Sequence, residues 1–295
     1  MKKALLLLVF TACLPVSPVR DDHRLQVAVS VPPQAYFVER IGGDRVQVEV
    51  MIPPGYSHVD YPLTPRKTIA LSRAALYVKV GHPGFEFERR HIDRFLARNP
   101  SIRVVDMSRG MPLLAGEEEV PDHEGDNGHQ HAAGDPHVWV APATVAVAAR
   151  NIAAALAEAD PAHAGEYRAN LRAFLADIDR LDREIRTRLA GRENRKFMVY
   201  HPDWGYFARQ YGLEQIAIES GGKEPSARRL IQLIELARRE GVKVVFVQGG
   251  FPRKSAQVIA EAVGGEVLTA DPQRQDWLDN LRQVAADLSE ALPHV

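Results

Sequence analysis

Eight short runs rich in valine and isoleucine fall into two sets of four along this chain, with a long amphipathic stretch between the sets. The first set is LQVAVSV (25–31), VQVEVMI (46–52), ALYVKVG (75–81) and IRVVDMS (102–108). The second is KFMVYHP (196–202), EQIAIES (214–220), VKVVFVQ (242–248) and GEVLTAD (265–271). Runs of this length and composition read as strands. Helical segments separate them: PQAYFVERIGG and PRKTIALSRA in the first set, PSARRLIQLIELARREG and RKSAQVIAEAVGG in the second. A last helix, WLDNLRQVAADLSEAL, closes the chain. Strands joined through helices run parallel, because a parallel pair needs a crossover connection. The pattern predicts an α/β fold of two Rossmann-like lobes with mostly parallel sheets.

The stretch between the sets has its own period. From Ala143 to Leu189 it is dominated by Ala, Leu, Arg, Asp and Glu, and Pro161 breaks it. Tyr167, Leu171, Phe174, Leu175, Ile178, Leu181, Ile185 and Leu189 recur at steps of three and four, which is one apolar stripe on a helix. Asp160 is placed to cap that helix with Pro161 in its first turn. Residues 161–190 then form a rod of roughly 45 Å at 1.5 Å per residue. Such a rod is longer than a usual crossover helix and can brace two lobes. The expected division is an N-terminal lobe at 24–142, connecting helices at 143–192 and a C-terminal lobe at 193–295.

The first residues are of another kind. MKKALLLLVFTAC has two lysines and then an apolar run from Ala4 to Phe10, too short to span a bilayer but suited to a secretory signal. Residues 1–20 are therefore expected to be a signal peptide. Cys13 follows small residues, as at a bacterial lipoprotein cleavage site, so a lipid anchor at Cys13 and ordinary cleavage beyond it are both open. The expected location is the periplasm or the outer face of the cell membrane. Cys13 is the one cysteine of the chain, so no intrachain disulfide forms. With 37 basic and 38 acidic residues spread along the chain there is no basic face, which argues against nucleic acid as a partner.

Residues 115–135 form a polar, Gly- and His-bearing loop within the first lobe. DHEGDNGHQHAAGDPHVW (122–139) holds four of the chain's 11 histidines: His123, His129, His131 and His137. Imidazole binds transition metals and changes charge near neutral pH. In an open α/β sheet, ligands bind beyond the carboxyl ends of the strands. Four candidate ligands stand there. His201 ends FMVYH, Asp271 ends EVLTAD, His58 follows VEVMI in PPGYSH, and His137 precedes VWVAP. Three imidazoles and one carboxylate, shared between lobes, suit Zn²⁺ and also Mn²⁺. Any one of these residues alone is more often a surface histidine or a turn former, and the joint placement is what points to a metal. The loop histidines His123, His129 and His131 read as an auxiliary trap that raises the local metal concentration.

Six ordered motifs carry a resemblance: PPGYSHVDYPLTP (53–65), DPHVWVAP (135–142), HPDWGYFARQYGL (201–213), GGKEPSARRL (221–230), VFVQGGF (245–251) and LTADP (268–272). Through them the chain resembles the zinc/manganese solute-binding proteins of bacterial ABC importers along nearly all of its mature length. The resemblance implies two α/β lobes, a rigid connecting helix and a metal in the cleft between the lobes. His137 matches the family's second ligand, His201 the third, and Asp271 the carboxylate many members use as the fourth. The family's first histidine falls at Val59, whereas here the histidine stands one place earlier, at His58. Either His58 reaches the metal through an altered loop, or water or a loop histidine completes the site. Ser226 is placed to cap a helix, Gln248 to orient a ligand, and Trp139, Trp204 and Tyr206 to pack around the cleft.

The expected function is capture of Zn²⁺ outside the inner membrane and delivery to the permease of an ABC importer, with the protein a monomer. A His-rich site favours zinc over manganese, whose sites lean on carboxylates. Two rivals are a manganese-binding member of the same family and a surface adhesion or sensor lipoprotein with structural metal. A third, a zinc hydrolase, needs a general base beside the ligands. The chain has no H-E-x-x-H, and Glu219 is the nearest candidate for that base.

Overall fold

The computed structural model describes residues 24–292 apart from residues 60, 116–133, 193 and 220–221. The signal stretch with Cys13, and His123, His129 and His131, lie outside the described residues. Strands β1 (Leu25–Val29), β2 (Val46–Val50), β3 (Leu76–Lys79) and β4 (Arg103–Asp106) form one sheet in the order β2-β1-β3-β4. Strands β5 (Lys196–Val199), β6 (Glu214–Ala217), β7 (Val244–Val247) and β8 (Glu266–Thr269) form a second in the order β6-β5-β7-β8. Every neighbouring pair is parallel. All eight predicted strands are present, each ending before its predicted limit. The residues trimmed from their carboxyl ends, such as Ser30, Ile52, His201 and Asp271, leave the ladder to build loops at the crevices.

Helices α1 (Pro32–Gly42) and α2 (Pro65–Ser72) follow β1 and β2, and a π-turn (Glu88–Ile92) leads into the short α3 (Asp93–Ala97). After β4 come α4 (Pro142–Ala159) and α5 (Ala164–Leu189); the second lobe adds α6 (Gly205–Tyr211), α7 (Ala227–Arg239), α8 (Lys254–Val263) and α9 (Trp277–Ala291). Ser226 caps α7 as its position implies, its Oγ accepting the Arg229 N–H at 3.2 Å. Pro161 does break the central stretch, as a 3₁₀ turn at Pro161–His163 before α5. The Asp160 side chain does not cap a backbone N–H there, however. It takes the Tyr167 hydroxyl and His163 Nδ1, both at 2.7 Å, which ties the turn to the first winding of α5.

The 26 residues of α5 give a rod of about 39 Å. Its stripe is inward: Tyr167, Phe174, Ile178, Leu181, Ile185 and Leu189 are buried. Phe174 is the hub, packed against Tyr36 and Phe37 of α1 and Trp277 of α9 at centroid separations of 5.9, 6.0 and 6.3 Å. One apolar core therefore runs from the first sheet, across α5, to one face of the second. Period-two alternation divides that second sheet: Phe197, Val199 and Phe246 join the shared core, while Met198, Val245 and Val247 face a separate cluster under α7 and α8.

Two indoles cross the same boundary. The Trp139 Nε1–H donates to the Pro272 carbonyl at 2.9 Å, and the Trp277 Nε1–H donates to the Trp139 carbonyl at 2.6 Å. Trp139 thus packs and ties the lobes together. A fully buried carboxyl underlies the first crevice: Glu88 accepts the Val80 and Gly81 N–H groups at 2.6 and 3.0 Å and the Ser30 hydroxyl. Burial pushes this carboxyl up to about 7 against these hydrogen bonds.

Truncating the hub tests the clamp. Phe174→Ala is expected to lower the free energy of unfolding in urea by about 3–5 kcal/mol. A loss under about 1 kcal/mol contradicts the role given to Phe174. Between about pH 4.5 and 7 the folded state holds the Glu88 proton that the unfolded chain releases, so this group makes stability fall as pH rises through that window. Glu88→Gln is expected to remove about 3 kcal/mol of that fall, read as the difference between the two proteins' urea midpoints across the window.

Candidate metal centre

Both sheets reverse their winding at one place, between β1 and β3 and between β5 and β7. Such switch points open crevices beyond the carboxyl ends of the strands. Three histidines come from loops at these crevices. His58 lies in the turn after β2, His137 immediately precedes a 3₁₀ turn (Val138–Val140) leading into α4, and His201 stands two residues beyond β5. Their ring centroids are 4.9 Å (58 to 137), 5.3 Å (137 to 201) and 5.8 Å (58 to 201) apart. Each offers a nitrogen within 4.8 Å of the other two, and all three are buried. Two imidazoles from the first lobe and one from the second thus converge.

Each ring is held on its Nδ1 side. His137 Nδ1 lies 2.7 Å from Asp135 Oδ1, which also accepts the His137 backbone N–H at 2.9 Å. His201 Nδ1 lies 2.6 Å from Glu219 Oε1, with both side chains buried. A carboxylate accepts only, so Nδ1 carries the proton in both rings and the Nε2 lone pair faces inward. His58 Nδ1 is 3.3 Å from Gln273 Nε2, while the buried Gln273 Oε1 has no hydrogen-bond partner among the described residues. A half-turn of that amide puts Oε1 on the His58 Nδ1–H and gives the third ring the same tautomer. Aromatic plates fix the ring planes. Phe85 stacks on His58 at 5.3 Å and 10°, and Phe251 stacks on His201 at 5.4 Å and 16°.

The surroundings are acidic. Burial first, then the nearby Asp135 and Asp271, pushes Asp203 well above the usual carboxylate range. Burial likewise raises Asp271. Three neutral nitrogens beside four carboxylic groups (Asp135, Asp203, Glu219 and Asp271) make a pocket that favours a cation.

The structure brings together His58, His137 and His201 but not Asp271, which is absent from the group of mutually close ligand atoms among the described residues. Its Oδ1 instead accepts the Gln273 N–H at 2.9 Å, in the turn that delivers Gln273 to His58. Val59, where the family's first histidine falls, donates its N–H to Ser57 Oγ and leaves the ring position to its neighbour His58. The outer partners Asp135, Glu219 and Gln273 were not singled out from the sequence as holders of the rings. Asp135 sits two residues before His137, a spacing that allows a side-chain-to-backbone turn. Glu219 and Gln273 carry no local signal. Gln248, expected to orient a ligand, is buried at the end of β7 and gives no histidine a hydrogen bond among the described residues. Glu224 accepts the Ser255 hydroxyl. Trp204 packs on Phe207, and the Tyr206 hydroxyl accepts the Leu114 N–H at 2.9 Å, joining the first lobe to α6.

Glycine is required at one position of this frame. A Cβ on Gly205 would lie 2.3 Å from Asp135 Oδ2. Gly205→Ala is therefore expected to displace the carboxylate and release His137 Nδ1, seen as loss of the single Nδ1–H form of His137 in ¹⁵N NMR. An unchanged His137 signal contradicts this reading of the contact.

The sequence profile of the family described as ZnuA, zinc-uptake complex component A periplasmic, matches residues 27–291. The high-affinity zinc uptake system protein ZnuA of Bacillus subtilis (strain 168) is 30% identical over 285 residues, covering 91% of this chain and 88% of that protein. A crystal structure of ZnuA superposes with a TM-score of 0.83 at 39% identity, covering 91% of this chain and 99% of the other. A zinc-bound ZnuA deletion mutant gives a TM-score of 0.82 at 38% identity, covering 91% and 98%. With the profile spanning nearly the whole described chain and the same two-lobed fold beneath it, this chain belongs to the ZnuA family of periplasmic zinc-uptake components.

Proposed function

We propose that this chain captures Zn²⁺ in the cleft through Nε2 of His58, His137 and His201 and delivers it to the permease of an ABC importer. The observation that carries the reading is the convergence of three buried imidazoles, two from one lobe and one from the other, within 4.8 Å. Each has its Nδ1 beside a carboxylate or an amide. Nitrogen donors in this number suit a borderline ion better than Mn²⁺, which prefers oxygen. The protein is a transport component and not an enzyme. Glu219, the nearest general-base candidate in the sequence, is committed to His201.

Asp271 supplies the fourth ligand on this reading. Its carboxylate lies on the turn that also carries Gln273, the residue that meets His58, and a shift of that turn would bring it to the ion. The rod α5, buried against helices of both lobes, limits closure to shifts of this kind rather than a wide hinge rotation. His123, His129 and His131 raise the local metal concentration. The chain acts as a monomer outside the cytoplasm, either held to the membrane by a lipid on Cys13 or released by ordinary cleavage beyond it. Among the described residues no helix is long and apolar enough to cross a membrane.

Competition titration against a chromogenic zinc chelator tests the reading. Each of His58→Ala, His137→Ala and His201→Ala is expected to weaken zinc binding beyond the roughly 10–100-fold loss typical of an outer partner. Asp271→Asn is expected to lose about tenfold or more, since a ligand outweighs an outer partner. A variant lacking residues 121–133 keeps the tightest site. Protons compete for the same lone pairs, so affinity falls as pH drops through about 6.5. Normal zinc binding by His58→Ala or His201→Ala contradicts the shared site, and normal binding by Asp271→Asn gives the fourth position to water.

A further inference from the structure

The lobes also touch at the surface, through two tight turns of one build. In the first lobe Pro53–Tyr56 is closed by the Tyr56 N–H on the Pro53 carbonyl at 3.4 Å, with Gly55 third in the turn at φ +81°. In the second lobe Gln248–Phe251 is closed by the Phe251 N–H on the Gln248 carbonyl at 3.4 Å, with Gly250 third at φ +86°. A positive φ at the third residue is the mark of a type II turn and favours glycine there. The two tips are in contact: a Cβ on Gly250 would lie 3.2 Å from the Gly55 carbonyl oxygen. Both glycines are exposed.

From these tips the chain runs directly to the centre. Three residues separate exposed Gly55 from buried His58. Phe251, the residue after Gly250, lies flat on His201. The lobes are held together unevenly around this point. Beside Trp139 hydrogen bonds cross between them, from Trp139 to the Pro272 carbonyl, from Trp277 to the Trp139 carbonyl and between Gln273 and His58. At the tips no hydrogen bond joins Gly55 to Gly250 among the described residues.

We propose that the turns Pro53–Tyr56 and Gln248–Phe251 are the gate of the metal centre, and that the ion enters and leaves where Gly55 and Gly250 part. The proposal rests on the zinc reading above. Two bare backbone tips meet by shape alone, so parting them breaks no hydrogen bond and leaves the ties beside Trp139 in place. The same movement carries Phe251 off the face of His201 and uncovers that ring. A side chain on either tip would oppose closure, which accounts for glycine at both. The gate thus lets the ion exchange without the wide hinge rotation that α5 resists.

Substitution at the tips tests the gate. Alanine at Gly250 is strained at φ +86° and its Cβ presses on the Gly55 carbonyl, so it favours the parted state. In the full mature chain Gly250→Ala is expected to speed release of Zn²⁺ to excess chelator, followed by stopped flow, about tenfold. Affinity from chelator competition is expected to stay within about threefold of wild type, because entry speeds with exit. Gly264→Ala is the control. It carries similar strain, at φ +60°, at the far end of α8 with nothing within 4 Å of its Cβ, and release is expected at the wild-type rate. Gly55→Ala strains the facing tip at φ +81° and is expected to act as Gly250→Ala does, which serves if thermal melts show that Gly250→Ala fails to fold. Metal-free protein gives a second readout. Diethyl pyrocarbonate attacks neutral imidazole, so modification of His58, His137 and His201, followed by peptide mass spectrometry, is expected to run several-fold faster in Gly250→Ala than in wild type. Wild-type rates of release and modification in Gly250→Ala overturn the gate. Equal acceleration in Gly264→Ala overturns it too, as does lost affinity with unchanged release. Wild-type protein that takes up no zinc sinks the transport reading instead, and modification of the metal-free protein still decides the gate.

Discussion

Three imidazoles can lie buried side by side as neutral ligands only if each keeps its proton on the side away from the others. Here a carboxylate at His137, a carboxylate at His201 and an amide at His58 set that side. Take the partners away and each ring is free to exchange tautomers, with lone pairs pointing outward as often as inward. The partners come from different parts of the chain. Asp135 precedes its own histidine by two residues, Glu219 stands just past β6, and Gln273 reaches from the second lobe across to His58 in the first. The site therefore exists only while the lobes keep their mutual position, which links its chemistry to the packing of α5 and the crossed indoles of Trp139 and Trp277.

The two lobes repeat one plan and use it differently. Orders β2-β1-β3-β4 and β6-β5-β7-β8 are the same topology, so β1 corresponds to β5 and β3 to β7. The loop after β3 provides Phe85 and the loop after β7 provides Phe251, and each phenyl plate lies flat on a histidine of its own lobe. Elsewhere the correspondence stops. His201 follows β5, whereas Ser30 follows β1 and joins a buried network with Tyr77 and Glu88. The first lobe supplies its second ligand from the start of α4 instead. An aromatic wall on each side shields the centre from water, which strengthens every charge interaction within it.

Much of this was legible in the residues. Valine-rich runs marked all eight strands, since strands of a parallel sheet covered on both faces are nearly continuously apolar. The stripe on α5 was legible because one long helix sits in a single groove throughout its length. His201 and His58 were legible as residues just past strands, and His137 through the motif DPHVWVAP. Other features were not. The seven-residue α6 is too short to show a period, and the π-turn before α3 has no sequence signature. The choice between His58 and Val59 turns on side-chain directions in one loop, which spacing does not specify. Glu219 and Gln273 meet their histidines only in three dimensions, 18 and 215 residues away. Asp160 shows the limit in reverse: its position suggested a backbone cap, but Tyr167 and His163 offer its carboxylate better-placed donors.

The central claim is that His58, His137 and His201 bind one ion together. X-ray absorption at the zinc edge, on mature protein carrying one equivalent of Zn²⁺, tests it most directly. The account predicts three imidazole nitrogens at roughly 2.0–2.1 Å with an oxygen completing a tetrahedral shell, and the loss of one imidazole in His201→Ala. A shell of oxygen donors, or one that His201→Ala leaves unaltered, would contradict it.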